Sequence, residues 1–255
     1  MDAVTDERLE RVQAYYDGLA DRLVAVENRN WHLQSRMALN LETIDRFVRA
    51  PSPRVLDVGC GTGFLLEQLA GRGFSGVGVD LSPESVEHAN RRLAEIGAAD
   101  RLRAEVGSAY EPPDGPFDLI ALTDVLEHLE DPRRCLAALR ERLAPGGLLV
   151  ISTPNRRSLP GARRWIAERW PRLGIRLSLA PVDNWQTWTD LEGHAASAGL
   201  VPVSRRGIFF RPGGRIGSQI GRLYRFAPVR RGELRLSRTP AGRFGFYVCV
   251  GFRPV

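Results

Sequence analysis

The run RVLDVGCGTGF (54–64) decides the fold. Its first residues, RVLDVG (54–59), form a short apolar, β-branched stretch that predicts a buried strand. Gly59, Gly61 and Gly63 follow at two-residue spacing, and FLLEQLAGRG (64–73) predicts a helix that stops at Gly71 and Gly73. GVGVD (76–80) then predicts a second strand. A strand turning through glycines into a helix, with a strand after it, is a βαβ unit. Glycines at the carboxyl end of a strand let the backbone approach a ligand closely, and the next helix offers its free N–H groups to a negative group. A dinucleotide loop of the form Gly-x-Gly-x-x-Gly needs glycine at position 64 or 66, where this chain has Phe64 and Leu66. A P-loop needs a lysine, and the chain has none.

Working outward, the alternation continues. Ser82 and Pro83, with Glu84 and Glu87, open a helix over 83–96 that Gly97 ends. Strands are expected at 102–106, 118–122 and 148–152, with a helix at 131–143. Beyond 152 the regularity lapses into a stretch rich in proline and tryptophan (153–186). A helix at 189–198, a strand at 200–210, an irregular Arg/Gly segment at 211–243 and a last strand at 244–252 follow. Upstream, apolar residues at helical spacing predict amphipathic helices over 6–28 and 36–49, closed by Pro51 and Pro53. Strands separated by helices imply an α/β protein with a mostly parallel sheet covered on both faces.

The chain has 255 residues, within reach of a single core, and no apolar run approaches the roughly 20 residues of a membrane span. The acidic MDAVTDERLE start does not read as a secretory signal, so the cytoplasm is the expected compartment. Cys60, Cys135 and Cys249 lie far apart without a Cys-x-x-Cys pair, and all three are expected to be reduced. The net charge of +6 hides an asymmetry: residues 1–155 hold 17 Arg against 25 acids, and residues 156–255 hold 19 Arg against 5 acids. An anionic partner and a solvated basic face are equal readings of the second half.

Asp57-x-Gly59-x-Gly61-x-Gly63 followed by Asp80 resembles the signature of class I S-adenosylmethionine-dependent methyltransferases. The resemblance continues through FDLIALTDVLEHLEDP (117–132) and LRERLAPGGLLVISTPN (139–155), and is nearest to the ubiquinone-pathway O-methyltransferase-like group. It implies a Rossmann-like, doubly wound seven-stranded sheet of order 3-2-1-4-5-7-6 with the last strand antiparallel. It also implies an N-terminal helical lid (1–50) on a methyltransferase domain (51–255), with acceptor-side insertions at about 154–186 and 211–243. S-adenosylmethionine is the implied cofactor, held by Arg36, Asp57, Gly59, Gly61, Gly63, Asp80, Leu81, Ser108, Ala109 and Thr123. Ser108 stands where the group often has Asp, and Thr123 where it often has Met or Cys.

Asp80 ends its strand where a carboxylate accepts both hydroxyls of a ribose. The Glu127-His128 pair after strand four is shared with the group, and three readings of His128 stand: general base, metal ligand with Asp124 and Glu127, or structural support of its loop. The base, which would make His128 the catalytic residue, and the structural reading stand level, and a divalent metal is the less favoured alternative. His88 and His194 read as solvated, His32 as either pocket-facing or packed, and Tyr15 and Tyr16 as core packing with a pocket role for one of them implied by the resemblance. Trp165, Trp170, Trp185 and Trp188 either line an acceptor pocket or fill the insertion's own core. The Arg/Trp run at 156–177 also suits an anionic surface. The reading that follows is methyl transfer to a small-molecule acceptor, anionic or lipophilic, most often at oxygen, with weak peripheral membrane association and no tight nucleic-acid binding. An RNA methyltransferase and a non-catalytic S-adenosylmethionine-binding protein are the alternatives.

Overall fold

A computed structural model describes residues 6–27, 30–175, 183–209, 223 and 226–255. Three helices come first: α1 (Asp6–Asp17), α2 (Ala20–Glu27) and α3 (Trp31–Phe47). The expected two-helix start is thus three, because α1 ends at Asp17 and Asn30 caps a new helix by accepting the N–H of His32. The alternating part comprises β1 (Arg54–Val58), α4 (Phe64–Ala70), β2 (Ser75–Asp80), α5 (Pro83–Glu95), β3 (Leu102–Val106), β4 (Phe117–Thr123), α6 (Pro132–Arg142) and β5 (Leu143–Pro154). After it come α7 (Leu159–Arg169), α8 (Trp188–Ser197), β6 (Leu200–Ile208), α9 (Ala227–Leu236) and β7 (Tyr247–Pro254). The helix starts follow from their caps: Ser82 and Asp131 each accept a backbone N–H with proline next in the chain, and Thr187 and Asp190 form a reciprocal capping box.

The seven strands form one sheet of order β3-β2-β1-β4-β5-β7-β6, with β7 antiparallel to both neighbours. Side chains alternate across it. Val55, Leu119, Ala121 and Val150 face the layer built by α3, α4 and α5, while Leu56, Val58, Ile120, Leu122 and Ile151 face the layer of α6 and α8. Both faces are therefore dry, which explains why these strands read as continuous apolar runs.

Two expectations change. The segment expected to be irregular over 211–243 contains α9 and a 3-10 turn at Pro240–Phe244 in its described part. α9 is anchored by Glu233, whose carboxylate accepts the N–H of Phe209 at 2.7 Å. The stretch after β5 likewise folds as α7, capped by Ser158. Among the described residues no helix is long and apolar enough to cross a membrane. All three cysteines are free and buried.

Candidate active site

The carboxyl ends of β1, β2 and β4 open into a cavity of about 380 Å³, roofed by α1 and α3. The glycine loop forms its floor. Gly59 has φ +67°, and a Cβ there would meet Val125 Cγ2 at 2.2 Å, so the loop lies flat under the β4 loop only because the residue is glycine. Gly63 has φ +78° and caps α4 from below, facing Ala89 of α5. It is not among the residues lining the cavity, and its lack of a side chain lets α4 start close to α5. The other nine expected cofactor residues, Arg36, Asp57, Gly59, Gly61, Asp80, Leu81, Ser108, Ala109 and Thr123, all line the cavity, as does His128.

Asp80 accepts the N–H of Gly61 at 2.8 Å through one oxygen and that of Ser82 at 2.9 Å through the other. Burial raises its pKa, and these N–H donors oppose the rise. Asp57 is deeper. Burial, with Asp80 adding repulsion, pushes its carboxyl up to about 8, and its Oδ1 is buried without a hydrogen-bond partner. An unpaired buried carboxylate oxygen beside an open cavity calls for a cationic or N–H-bearing ligand.

Across the cavity, a second cluster gathers from four elements. Arg36 of α3 contacts Asp124 at 2.6 Å, and its guanidinium lies 4.3 Å from the ring centre of Tyr247 on β7. Asp124 sits at φ +59°, a left-handed conformation that costs a non-glycine residue roughly 1–3 kcal/mol and is concentrated at functional sites. Glu127 is buried and accepts the Thr153 hydroxyl at 2.9 Å; burial, then Asp124, raise its pKa well above the ordinary carboxylate range. His128 is half-buried and meets the Tyr16 ring edge-on, the centroids 5.7 Å apart.

Several expected residues fall elsewhere. The ligand atoms of Asp124, Glu127 and His128 do not converge: among the described residues the one His/Cys/Asp/Glu group within 4.8 Å is Asp21, Glu84 and His88. His88 is not solvated but reaches Asp21 at 3.1 Å. His194 is half-buried and accepts from Arg133 at 3.3 Å. His32 packs on Phe209, the rings 4.7 Å apart. None of the four C-terminal tryptophans lines the cavity. Trp185 packs on Phe246, Trp188 donates to the Arg243 carbonyl, and Trp165 and Trp170 stack edge-on with each other. The aromatic lining comes instead from Tyr16, Phe64, Tyr110 and Tyr247. Tyr247 and Asn40 escape sequence reading, since neither sits near a glycine loop or a strand end of the alternating part.

Fold and site together define a class I S-adenosylmethionine-dependent methyltransferase. The chain belongs to the family described as the methyltransferase domain, whose model matches residues 30–204. It is 33% identical over 172 residues to a ubiquinone biosynthesis O-methyltransferase of Cereibacter sphaeroides, covering 66% of this chain and 70% of that one. Among solved structures it is similar to the cyclase SpnF, with a TM-score of 0.66 and 21% identity over 95% of this chain and 94% of that one. It is also similar to geranyl diphosphate C-methyltransferase from Streptomyces coelicolor, solved with Mg2+, geranyl diphosphate and S-adenosyl-L-homocysteine, with a TM-score of 0.65 and 18% identity over the whole of both chains.

The residues present fit the cofactor: an unpaired buried Asp57 oxygen, a glycine floor that a single Cβ would fill, and Asp80 at the end of β2 face one cavity.

Proposed function

We propose that the protein transfers a methyl group to an oxygen of a small-molecule acceptor, and that His128 is the general base. The observation that carries this is the placement of Asp57, Gly59, Asp80 and His128 on one cavity. The relatives are O-methyltransferases by name, which supports oxygen as the acceptor atom.

S-adenosylmethionine, when bound, supplies an already activated sulfonium methyl group. The chain's work is then to hold, align and keep water out. Asp80 accepts the ribose hydroxyls with the lone pairs that Gly61 and Ser82 leave open. Asp57 faces the ammonium group, and Arg36, fixed by Asp124 and Tyr247, offers its unpaired Nε to the carboxylate. Leu81, Ser108 and Ala109 border the adenine end, with the Ser108 hydroxyl already accepting the N–H of Tyr110 at 3.2 Å. Gly59, Gly61 and Thr123 flank the reacting end. His128 takes the acceptor's proton as the oxygen becomes nucleophilic, a role worth ~10²–10⁴-fold. Helices α1, α2 and α3 act as a lid on the domain that follows them.

Two measurements test the reading. Asp80→Ala should weaken S-adenosylhomocysteine binding by ~1.5–3 kcal/mol in calorimetry, and unchanged affinity would remove the cofactor assignment. Labelled donor with polarity-fractionated extracts should then identify the acceptor. On it, His128→Ala should lose turnover while keeping cofactor affinity, with chelators inert. Activity lost to chelation and restored by a divalent ion would make His128 a ligand instead.

One surface favours an anionic, partly apolar setting for the acceptor. On α7 and the turn after it, Leu159 (58%), Trp165 (50%), Trp170 (49%) and Leu173 (61%) stay exposed among arginines. This supports weak docking on an anionic lipid surface. The rest of the basic half is less free than its composition suggests: Arg164 pairs with Asp183 and Glu168, Arg205 with Glu192, and Arg206 and Arg238 with Glu42. Flotation with anionic vesicles should show salt-sensitive binding, whereas a tight, salt-steep RNA complex would favour the nucleic-acid alternative.

A further inference from the structure

Tyr16 and Asp17 are consecutive on α1, yet Tyr16 lines the cavity beside His128 while Asp17 reaches the Asp80 end of the site through Ser82. Asp17 accepts the hydroxyl of Ser82, the residue whose N–H is held by Asp80. Ser82 is also the N-cap of α5, its Oγ accepting the N–H of Ser85 at 3.0 Å. One hydroxyl thus donates to α1 and accepts from α5. Tyr16 meets His128 edge-on, on the acceptor side, and lines the cavity. Its phenol lies in the field of Glu127, Asp124 and Asp80, and burial, with these acids adding to it, keeps it un-ionised, a donor and not a base. The Tyr16 ring lines the cavity and meets both Tyr15 and His128 edge-on. Asp17 is, moreover, an acid at the carboxyl end of its helix, where the helix dipole disfavours negative charge. The Ser82 contact is what offsets that placement.

We propose that the Tyr16–Asp17 step of α1 is a clamp that couples the cofactor end of the site to the acceptor end. Asp17 reads the state of the Asp80 loop through Ser82, and Tyr16 acts as a positioning residue for the His128 imidazole. A ligand on Asp80 keeps that carboxylate ionised and its bond to the Ser82 N–H intact. The same ligand therefore fixes the Ser82 hydroxyl toward Asp17, seats α1, and sets Tyr16 against His128. The acceptor side is completed only over a filled cofactor site, so binding is ordered with the cofactor first. This rests on the cofactor reading given above and adds a coupling that reading does not require.

The test is amide hydrogen exchange of α1 in the full chain, with and without S-adenosylhomocysteine, beside calorimetric affinity for the same probe. In the wild type, the probe should slow exchange across residues 6–17 at least about tenfold, the equivalent of ~1.4 kcal/mol of local stabilisation. Asp17→Ala should abolish that ligand-dependent protection while keeping the affinity within a few-fold and the ligand-free melting temperature unchanged. Asp17→Asn, whose carbonyl still accepts from Ser82, should restore it. Tyr16→Leu should leave α1 protected and move the His128 imidazole resonance of the liganded protein, whereas Tyr16→Phe, which keeps the ring, should not. Equal protection in wild type and Asp17→Ala, or a probe that binds without protecting α1, overturns the clamp alone. A wild-type chain that does not bind the probe overturns the cofactor reading and the clamp with it.

Discussion

The two sides of the cavity are both acidic, and they are built in opposite ways. Asp57 and Asp80 end adjacent parallel strands, and the partners of Asp80 are backbone N–H groups of residues near it, Gly61 and Ser82. Asp124 and Glu127 instead draw their partners from side chains far along the chain: Asp124 pairs through one oxygen with Arg36 from α3, which lies against the Tyr247 ring of β7, and Glu127 accepts from Thr153 of β5. The first side is a property of one βαβ unit. The second exists only when the whole sheet has closed and α3 has docked on it. A local site should resist remote mutation and fail when its backbone is altered; an assembled site should do the reverse.

The largest expected effect is on the assembled side. Arg36→Ala leaves Asp124 in its left-handed conformation without its cation, beside the buried Glu127 and Tyr247. Removing one partner of a buried pair costs about 3–5 kcal/mol, and the partial exposure of Arg36 and Asp124 lowers the expectation to about 2–4 kcal/mol of unfolding free energy in urea. A loss under about 0.5 kcal/mol, the scale of an exposed pair, would mean that the second cluster is held by sheet closure alone.

A smaller effect is expected on the local side. Gly59→Ala introduces a Cβ at 2.2 Å from Val125 Cγ2, on a backbone at φ +67°. Overpacking of this kind costs typically ~1–3 kcal/mol, and the displaced loop should weaken S-adenosylhomocysteine binding ~10–100-fold. Stability and affinity should fall together here. If Gly59→Ala leaves both stability and affinity intact, the local side does not depend on its backbone and the distinction between the two sides fails.

The same distinction explains what the sequence discloses. Asp57, Gly59 and Asp80 are legible because periodicity locates the strand ends and the ligand lies there by topology. Strand order beyond the βαβ units, and with it the antiparallel β7, came from family resemblance, since spacing does not specify which strands are neighbours. Tyr247 opens that strand, and its pairing with β5 is what brings it near Arg36. Nothing in FGFYVCVGF (244–252) points to a cavity, because an aromatic opening a buried strand reads as core. Of the two readings open for the tryptophans after β5, packing is the one the structure shows: Trp185 and Trp188 tie α8 and the last turn together. Gly63 shows that a motif residue can serve helix packing while its neighbours Gly59 and Gly61 line the cavity.

The smallest expected effect is a pH dependence that separates the two acids of the local side. Asp57 has its carboxyl raised from 3.8 to about 8 by burial, so the folded ligand-free protein holds a proton there that the unfolded chain has lost. Between those values the native state binds more protons, and its stability falls as pH rises. The contribution is fully present below the unfolded value and is lost as pH passes the folded one. A cationic group at the unpaired Oδ1 favours the carboxylate, so binding of S-adenosylhomocysteine should release a proton near neutrality. Affinity should therefore rise with pH as Asp57 ionises and fall again where the ligand's own amino group loses its proton. Asp57→Asn should flatten that rise, and calorimetry in buffers of differing ionisation enthalpy should show the proton release disappear. The stability slope should shrink without vanishing, because Glu127 on the assembled side is raised in the same direction. If the affinity profile of Asp57→Asn matches that of the wild type, the unpaired oxygen does not face the ligand's charge, and the local side reduces to the glycine floor and Asp80.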